Sequence, residues 1–111
     1  MKRSIELLPQ VSFSIMVALS LKPRHGYEII QQVEADSLSK MHLGPATLYS
    51  TLQKLLDAEL IEELPAAESS DRRRYYQLTA AGLSALRADV EYYAHIADVS
   101  AGRLTKGWTQ A

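Results

Sequence analysis

The sequence predicts a mainly α-helical domain that contains one small β-hairpin. Three observations support this fold class: four segments have the apolar character or spacing of helices, two short β-rich segments flank a loop, and 111 residues have room for one core. The composition is that of a globular chain, with 47% hydrophobic and 23% charged residues. We therefore expect one folded unit rather than a disordered chain.

The first helix is expected at residues 11–21, which are apolar at nearly every position. Such a helix is usually buried between others or at a subunit contact. Two basic residues near the N-terminus precede it, as in a secretory signal, but Glu6 and Pro9 interrupt the approach and no small-residue cleavage site follows. The segment is also too short to span a bilayer. We expect a buried helix in a cytoplasmic protein, and the absence of cysteine fits a reducing compartment.

A second helix is expected to open at residues 25–26, after a proline breaks the first, and to end near residue 38. Tyr27, Ile30 and Val33 lie on one apolar stripe at helical spacing. We therefore expect Tyr27 to pack against the core.

The third helix has the clearest start in the chain, because Gly44 suits the N-cap and Pro45 suits the first helical position. It is expected to run to about Ala58. One face carries the leucines at positions 48, 52, 55 and 56. The opposite face is small and mostly uncharged and consists of Ala46, Thr47, Ser50, Gln53, Lys54 and Asp57. A plain solvated face more often carries Glu and Lys four residues apart, so this face suits close approach to another surface.

Two short strands are expected at residues 61–64 and 74–78, which are rich in β-forming residues. The loop at residues 65–71 makes them a hairpin. Three consecutive arginines follow the tip of this hairpin, namely Arg72, Arg73 and Arg74. A run of this kind is either a solvated charge cluster or a contact for phosphates or a minor groove.

The last helix is expected to begin after its N-cap Thr79 and to reach about Leu104. Apolar residues recur within it at alternating spacings of three and four, which is typical of a helix that packs along another. Together with two residues of the first helix they form the predicted dimer interface: Val11, Ile15, Leu83, Leu86, Val90, Tyr93 and Ala97. The chain is thus divided into a domain at residues 1–78, a dimerisation helix at 79–104 and a disordered tail at 105–111.

Positive charge is segregated along the chain, although the net charge is −1. Residues 1–54 hold six basic and four acidic residues (+2), and residues 55–70 hold five acidic residues and no base (−5). Residues 71–74 hold three arginines and one aspartate (+2). Segregation of this kind matters more for a phosphate-binding face than the sum does.

The order of the elements predicts a winged helix-turn-helix with a long C-terminal dimerisation helix. In that fold the second helix of the helix-turn-helix enters the major groove, and the hairpin forms a wing on the same DNA. The short polar side chains of the third helix suit base edges, and the arginines suit phosphates. This joint placement predicts a transcriptional regulator that binds a double-stranded DNA operator.

Three segments resemble the PadR family of transcriptional regulators. They are HGYEI at residues 25–29, LGPATLYSTLQKL at 43–55 and DRRRYYQLTAAG at 71–82. The likeness covers residues 10–90. It implies a winged-helix homodimer, usually a repressor that a small molecule or another signal releases, whose shorter members end in one dimerisation helix.

The resemblance also implies roles for individual residues. Those implied for DNA contacts are Thr47, Tyr49, Ser50 and Lys54 in the third helix and Arg72, Arg73 and Arg74 in the wing. Tyr49 lies at the edge of the core face, so its ring can pack while its hydroxyl reaches a phosphate. The family typically has a left-handed glycine after the position of Ala58, where this chain has Glu59.

Some relatives hold flat aromatic compounds at the dimer interface, between residues of the first and last helices. The residues that would form such a ligand pocket here are Phe13, Met16, Tyr92, Tyr93 and Ile96. The alternative is that these side chains simply pack in the core or at the dimer contact.

No enzyme, cofactor or metal site is predicted. The three histidines are scattered, and no glycine-rich phosphate loop or activated nucleophile is visible. Glu91 and His95 lie four residues apart on the last helix, where a solvated pair is a simpler explanation than a metal site. The alternative function is a winged-helix module that binds proteins rather than DNA, which the acidic residues 57–68 and the net negative charge favour. The arginine cluster favours DNA.

Overall fold

The computed structural model describes residues 6–65 and 72–110, with side chains up to Gly107. Within these residues the elements follow the predicted order, with one short strand added. They are α1 (Gln10–Ala18), β1 (Arg24–His25), α2 (Gly26–Asp36), α3 (Pro45–Asp57), β2 (Ile61–Glu63), β3 (Tyr75–Leu78) and α4 (Ala80–Gln110). The fold class is confirmed: a mainly α-helical winged helix-turn-helix with a long C-terminal helix.

β3 is the central strand of a three-stranded antiparallel sheet with the order β1-β3-β2. β2 and β3 form the expected hairpin, whose tip lies almost entirely outside the described residues. On its other side β3 pairs with β1, where Arg24 is opposite Tyr76 and His25 is opposite Tyr75. β1 is not predicted from the sequence, because two residues show no periodicity. This strand ties the wing to the start of α2.

The core forms where α1 packs against the other helices. Ile15 and Met16 are fully buried, as the apolar character of this segment predicts. Around them lie buried side chains from α2, α3 and the sheet: Ile29, Val33, Leu48, Leu52, Leu55, Ile61 and Tyr76. α1 ends at Ala18 rather than at Leu21, which is 85% exposed, because the chain must turn there to reach β1.

Three residues predicted for other roles belong to this core instead. Ile15 and Leu86 are expected at the dimer interface and Met16 in the ligand pocket, yet none is more than 5% exposed within the single subunit. Apolar spacing shows which face of a helix is buried, but it does not say whether its own subunit or a partner covers that face.

Both α2 and α3 end in a left-handed residue that is not glycine. Glu59 has a φ of 61°, at the position where the sequence analysis expects a left-handed glycine in relatives. The N–H groups of Glu59 and Leu60 donate to the carbonyls of Leu56 and Leu55, each at 3.0 Å, which is the Schellman arrangement. Leu38 has a φ of 55° at the corresponding position after α2. Each of these turns is sharp but strained by a Cβ atom.

Thr79 is the N-cap of α4, as predicted, and it also ties α4 to the end of α3. Its Oγ1 accepts a hydrogen bond from the Gly82 N–H (3.0 Å) and donates one to the carbonyl of Glu59 (2.7 Å). Its own N–H donates to the carbonyl of Leu60 at 3.1 Å. Gly82 lies so close to Leu60 that a Cβ would overlap the Leu60 carbonyl oxygen. α4 therefore starts in direct contact with the turn after α3.

α4 continues to Gln110, beyond the end expected at Leu104, so the predicted tail is helical up to that residue. At 1.5 Å per residue the helix is about 46 Å long. Asp89 is buried and accepts a hydrogen bond from the Leu8 N–H at 2.9 Å, which holds the N-terminal segment against α4. Beyond Asp89 nearly all described side chains are exposed. In the described ranges, no helix is both long and apolar enough to cross a membrane.

Replacing Glu59 by glycine is expected to stabilise the protein, because glycine adopts this backbone conformation without a steric cost. The gain should be about 1 kcal/mol and should raise the thermal midpoint by about 4 °C or more. Circular dichroism melts at fixed protein concentration measure it. The matched control is Ala58→Gly at the preceding residue, where φ is −84° and glycine should only lower stability. A lower midpoint for Glu59→Gly would contradict the strain assigned to this turn.

Candidate nucleic-acid interface

The outer face of α3, which we call the groove helix, carries every residue of this helix that the sequence predicts to contact DNA. All six are exposed: Ala46, Thr47, Tyr49, Ser50, Gln53 and Lys54. Leu48, Leu52 and Leu55 on the opposite face are buried. Gly44 and Pro45 start the helix as predicted. Because the exposed side chains near this start are short, apart from Tyr49, the helix can approach another surface closely.

Two of the outer side chains have partners on their own helix. Gln53 Nε2 donates to Asp57 Oδ1 at 2.9 Å, and Ser50 Oγ lies 3.4 Å from the Thr47 carbonyl oxygen. Both contacts are exposed, so a ligand that offers better geometry can replace them at little cost.

The arginine cluster (Arg72, Arg73 and Arg74) lies directly before β3, and all three residues are exposed. Arg74 Nε donates to Glu63 Oε2 at 3.0 Å across the hairpin. This hydrogen bond raises the pKa of Arg74 above its ordinary value, and the charge of Glu63 adds to the effect. The Arg74 side chain is still 69% exposed, so the ion pair is a surface pair and holds the guanidinium weakly.

His25 lies where α2, the sheet and the arginine cluster meet. It is 5% exposed and forms a capping box, in which Nδ1 accepts from the Glu28 N–H (3.3 Å) and Glu28 Oε1 accepts from the His25 N–H (3.2 Å). The other ring nitrogen, Nε2, lies 3.1 Å from Arg73 Nη1. The ring also meets Tyr75 edge-on, with centroids 5.3 Å apart.

A shallow cleft of about 330 Å³ joins these elements into one surface. Its lining comes from the start of α2, from α3 and from the wing: His25, Gly26, Tyr27, Tyr49, Arg72, Arg73, Arg74 and Tyr76. Tyr76 forms the buried floor, and burial raises the pKa of its hydroxyl. The structure therefore brings Tyr49 of α3 and the arginine cluster onto one surface. We call this surface the arginine cleft.

Tyr27 is a residue of the arginine cleft that the sequence analysis assigned to the core. It is 64% exposed, so the prediction that it packs is wrong. The buried residues of α2 are Gly26, Ile29 and Val33. Tyr27 follows Gly26 directly and therefore lies about 100° away from it around the helix. The predicted stripe of Tyr27, Ile30 and Val33 is thus displaced from the face that α2 buries.

Tyr49 is 52% exposed and reaches across to α2. A Cβ built on Gly26 would overlap the Tyr49 hydroxyl and lie 3.1 Å from its Cζ and 3.2 Å from Leu48 Cδ2. The absence of a side chain at residue 26 therefore allows the Tyr49 ring to rest on the start of α2. The ring thus packs, as expected, while the residue stays half exposed. The contact of its hydroxyl with a phosphate stays a prediction.

The aromatic residues predicted for a ligand pocket form a partly exposed cluster where α1 faces α4. The rings of Phe13 and Tyr93 meet edge-on with centroids 5.2 Å apart, and those of Tyr92 and Tyr93 do so at 5.4 Å. Ile96 is exposed beside them, whereas Met16 is buried in the core. Phe13 also lines a cavity of about 140 Å³ together with residues of α1, α2 and the turn after α2.

Glu91 and His95 are both exposed on α4. Among the residues that the structure describes, no three His, Cys, Asp or Glu side chains are grouped closely enough to hold a metal ion.

These elements define the class of the protein as a winged helix, and solved structures share the fold. A PadR family transcription regulator from Clostridium difficile matches with a TM-score of 0.74 and 28% identity, over 86% of this chain and 99% of that chain. A PadR-like transcriptional regulator from Bacillus cereus matches with a TM-score of 0.72 and 20% identity, over 85% and 90%. Bacillus subtilis PadR, solved in complex with operator DNA, matches with 0.63 and 20% identity, over 72% and 46%. The last two likenesses concern the fold alone.

Residues 15–88 match the transcriptional regulator PadR-like family, a segment that includes α2, α3, the sheet and the start of α4. An uncharacterised protein from Lysinibacillus sphaericus is 33% identical over 88 residues, which is 78% of this chain and 81% of that protein. The chain therefore belongs to the PadR-like family, as the three sequence segments predict. The family is one of transcriptional regulators.

Gly26→Ala is expected to push the Tyr49 ring off the start of α2 and to destabilise the protein by about 1 kcal/mol, the lower end of overpacking costs. Urea unfolding measures the change. The loss should shrink in a Tyr49→Phe background and shrink further with Tyr49→Ala, where only the Leu48 Cδ2 contact at 3.2 Å remains.

Gly102→Ala is the control for this prediction, since nothing lies within 4 Å of a Cβ at that position of α4. There alanine should be neutral or stabilising. An equal cost of Gly26→Ala in all three Tyr49 backgrounds would disprove the contact.

Proposed function

We propose that this protein is a homodimeric DNA-binding transcription regulator that reads an operator with α3 and grips the phosphate backbone with the arginine cluster. The observation that carries the proposal is the arginine cleft, where Tyr49 of α3 and Arg72, Arg73 and Arg74 line one surface. The shared fold with a PadR that was solved on operator DNA supports it.

In this proposal the polar face of α3 enters the major groove. Ala46, Thr47 and Ser50 are short enough to let the backbone approach base edges, and Gln53 and Lys54 extend further along the groove. Sequence is read by such contacts, whereas contacts to phosphates set the register of the protein on the duplex.

The wing and the two exposed tyrosines would hold the backbone that borders this groove. An arginine guanidinium matches a phosphate in a bidentate manner, and a tyrosine hydroxyl donates a single hydrogen bond. Tyr27 and Tyr49 flank the arginine cluster in the cleft and are proposed as phosphate donors.

The dimer is proposed to form along α4, with residues 79–104 as its main element and residues 1–78 as the DNA-binding domain. The exposed or half-buried members of the predicted interface are Val11, Leu83, Val90, Tyr93 and Ala97. Ile15 and Leu86 are excluded because they already pack within the subunit. The α3 helices of the two copies would lie about 34 Å apart, which is one turn of DNA. They would therefore bind the two half-sites of a pseudo-palindrome.

We also propose that the regulator acts as a repressor and that a flat aromatic effector releases it. The support is the partly exposed ring cluster of Phe13, Tyr92 and Tyr93 next to Ile96, which lies beside the proposed dimer face. An effector stacked there would change the angle between α1 and α4. It would therefore change the distance between the two α3 helices of the dimer.

A second candidate function is a winged-helix module that binds a protein. The acidic residues that follow α3 favour it, since Glu59, Glu62 and Glu63 are all exposed. However, Glu63 pairs with Arg74 and Glu62 accepts from Gln77 Nε2 at 2.8 Å, so part of this charge is engaged within the sheet. The salt dependence of DNA binding separates the two candidates.

Arg73→Ala and Arg74→Ala are expected to weaken binding to operator and random DNA alike, because phosphates carry no sequence information. Each should also reduce the slope of log affinity against log salt by about 0.9, the value for one phosphate neutralised. Fluorescence anisotropy titrations over a salt series measure both quantities, with an operator selected from a random DNA pool. Arg103→Ala on α4 is the control for lost charge. If the wild-type protein shows no salt-dependent DNA binding, the regulator function is excluded and the protein-binding module is the function that remains.

Val90→Glu is expected to give monomers and to reduce operator affinity, because a charge at the centre of the α4 stripe would be buried in the dimer. Light scattering measures the mass, and anisotropy the affinity. Val90 is 48% exposed in the subunit, so the substitution should leave the fold intact, which a thermal melt checks. Arg87→Glu serves as the control for added negative charge on α4. A dimeric mass for Val90→Glu would refute this interface.

A further inference from the structure

His25 connects three parts of the molecule that the proposed function needs to act together. Its backbone pairs with Tyr75 of β3, its Nδ1 caps α2 and its Nε2 faces Arg73. The ring is nearly inaccessible, whereas Arg73 beside it is exposed. A rigid buried group is therefore in contact with a long side chain that would otherwise sample many rotamers.

Arginine loses much conformational freedom when it binds. Fixing a rotamer-rich side chain at an interface costs conformational entropy and lowers the affinity. A contact that restrains Arg73 before DNA arrives removes part of this cost, provided that the guanidinium stays accessible. Both conditions are met here, because one nitrogen of Arg73 lies 3.1 Å from His25 Nε2 and the residue remains exposed.

Other charged and titratable groups also lie around the His25 ring. Glu28 Oε1 lies 3.6 Å from Nε2, Tyr75 covers the ring edge-on and Tyr76 shares the cleft. A neutral imidazole has one acceptor nitrogen, so the ring accepts either from the Glu28 N–H or from Arg73 at a given moment. The two roles of His25 are thus alternatives, and substitutions can separate them.

We infer that His25 is a positioning residue: in the tautomer whose Nε2 accepts from Arg73 it orients this arginine of the wing for its phosphate contact, and in the other tautomer it caps α2. The inference rests on the proposed DNA binding. His25 is buried and does not itself reach DNA. Its effect on the DNA affinity therefore passes through Arg73.

A double-mutant cycle between His25→Asn and Arg73→Ala tests the inference by anisotropy with operator DNA. Asparagine is among the best N-cap residues, so it keeps the cap of α2, but it lacks a second ring nitrogen to face Arg73. With Arg73 present, His25→Asn should weaken binding at least about threefold, within the range of measured pairwise couplings. With Arg73→Ala, the same change should alter affinity by less than about twofold, as expected once the partner is absent.

Thermal melts run beside the cycle check that the cap is retained. If His25→Asn lowers the folded fraction, the cycle is repeated with His25→Ser, another favoured N-cap that is too short to reach Arg73. His95→Asn on the exposed face of α4 is the control for loss of an imidazole.

A similar loss of affinity from His25→Asn in both backgrounds would overturn the inference, because the effect would then not pass through Arg73. A gain in affinity would overturn it as well, since His25 would be restraining Arg73 from DNA. Absence of DNA binding by the wild-type protein would instead overturn the proposed function and this inference together.

Discussion

The pairing of β3 with strands on both sides is the constraint on which the arginine cleft depends. β2 follows α3, and β1 leads directly into α2. Because β3 pairs with both, this strand of four residues ties the end of α3 to the start of α2. The arginine cluster immediately precedes this strand. The same pairing therefore carries three guanidinium groups to the side where Tyr27 and Tyr49 are exposed. A slip of one residue in the register would turn Tyr76 from the core to the surface and disrupt this side of the sheet.

Close contacts rather than long linkers hold the elements in place around β3. The left-handed Glu59 reverses the chain after α3, and Thr79 bonds both to that turn and to the first turn of α4. Gly26 and Gly82 let neighbouring elements approach more closely than a Cβ would allow. The energy lost at a strained residue is recovered through hydrogen bonds and packing that a looser turn would not permit. For a regulator of this family, this rigidity would fix the angle between the groove helix and the wing.

The net charge of −1 says little about what this surface binds, because the charges that matter are local. Glu63 engages Arg74 in the unbound protein, and His25 meets Arg73. These neighbours differ in kind. The first is an exposed ion pair that a phosphate must displace, whereas the second is a contact with a buried ring that leaves the arginine accessible. The proposed dimer along α4 would present two arginine cleft surfaces to the same DNA. The modest positive charge of each would then contribute twice to the DNA affinity.

The sequence alone determined the element order, the outward face of α3, the arginine cluster before β3, the cap at Thr79 and the family. Each follows from local signals: helical spacing, cap residues, a β-rich run and three motifs. Only the tertiary structure decided that Tyr27 lies on the surface, that Ile15, Met16 and Leu86 pack within the subunit, that β1 pairs with β3, and that α4 continues past Leu104. The physical reason is that periodicity reports which residues share a face. What covers that face, and where a helix outruns its neighbours, depends on contacts between residues far apart in the chain.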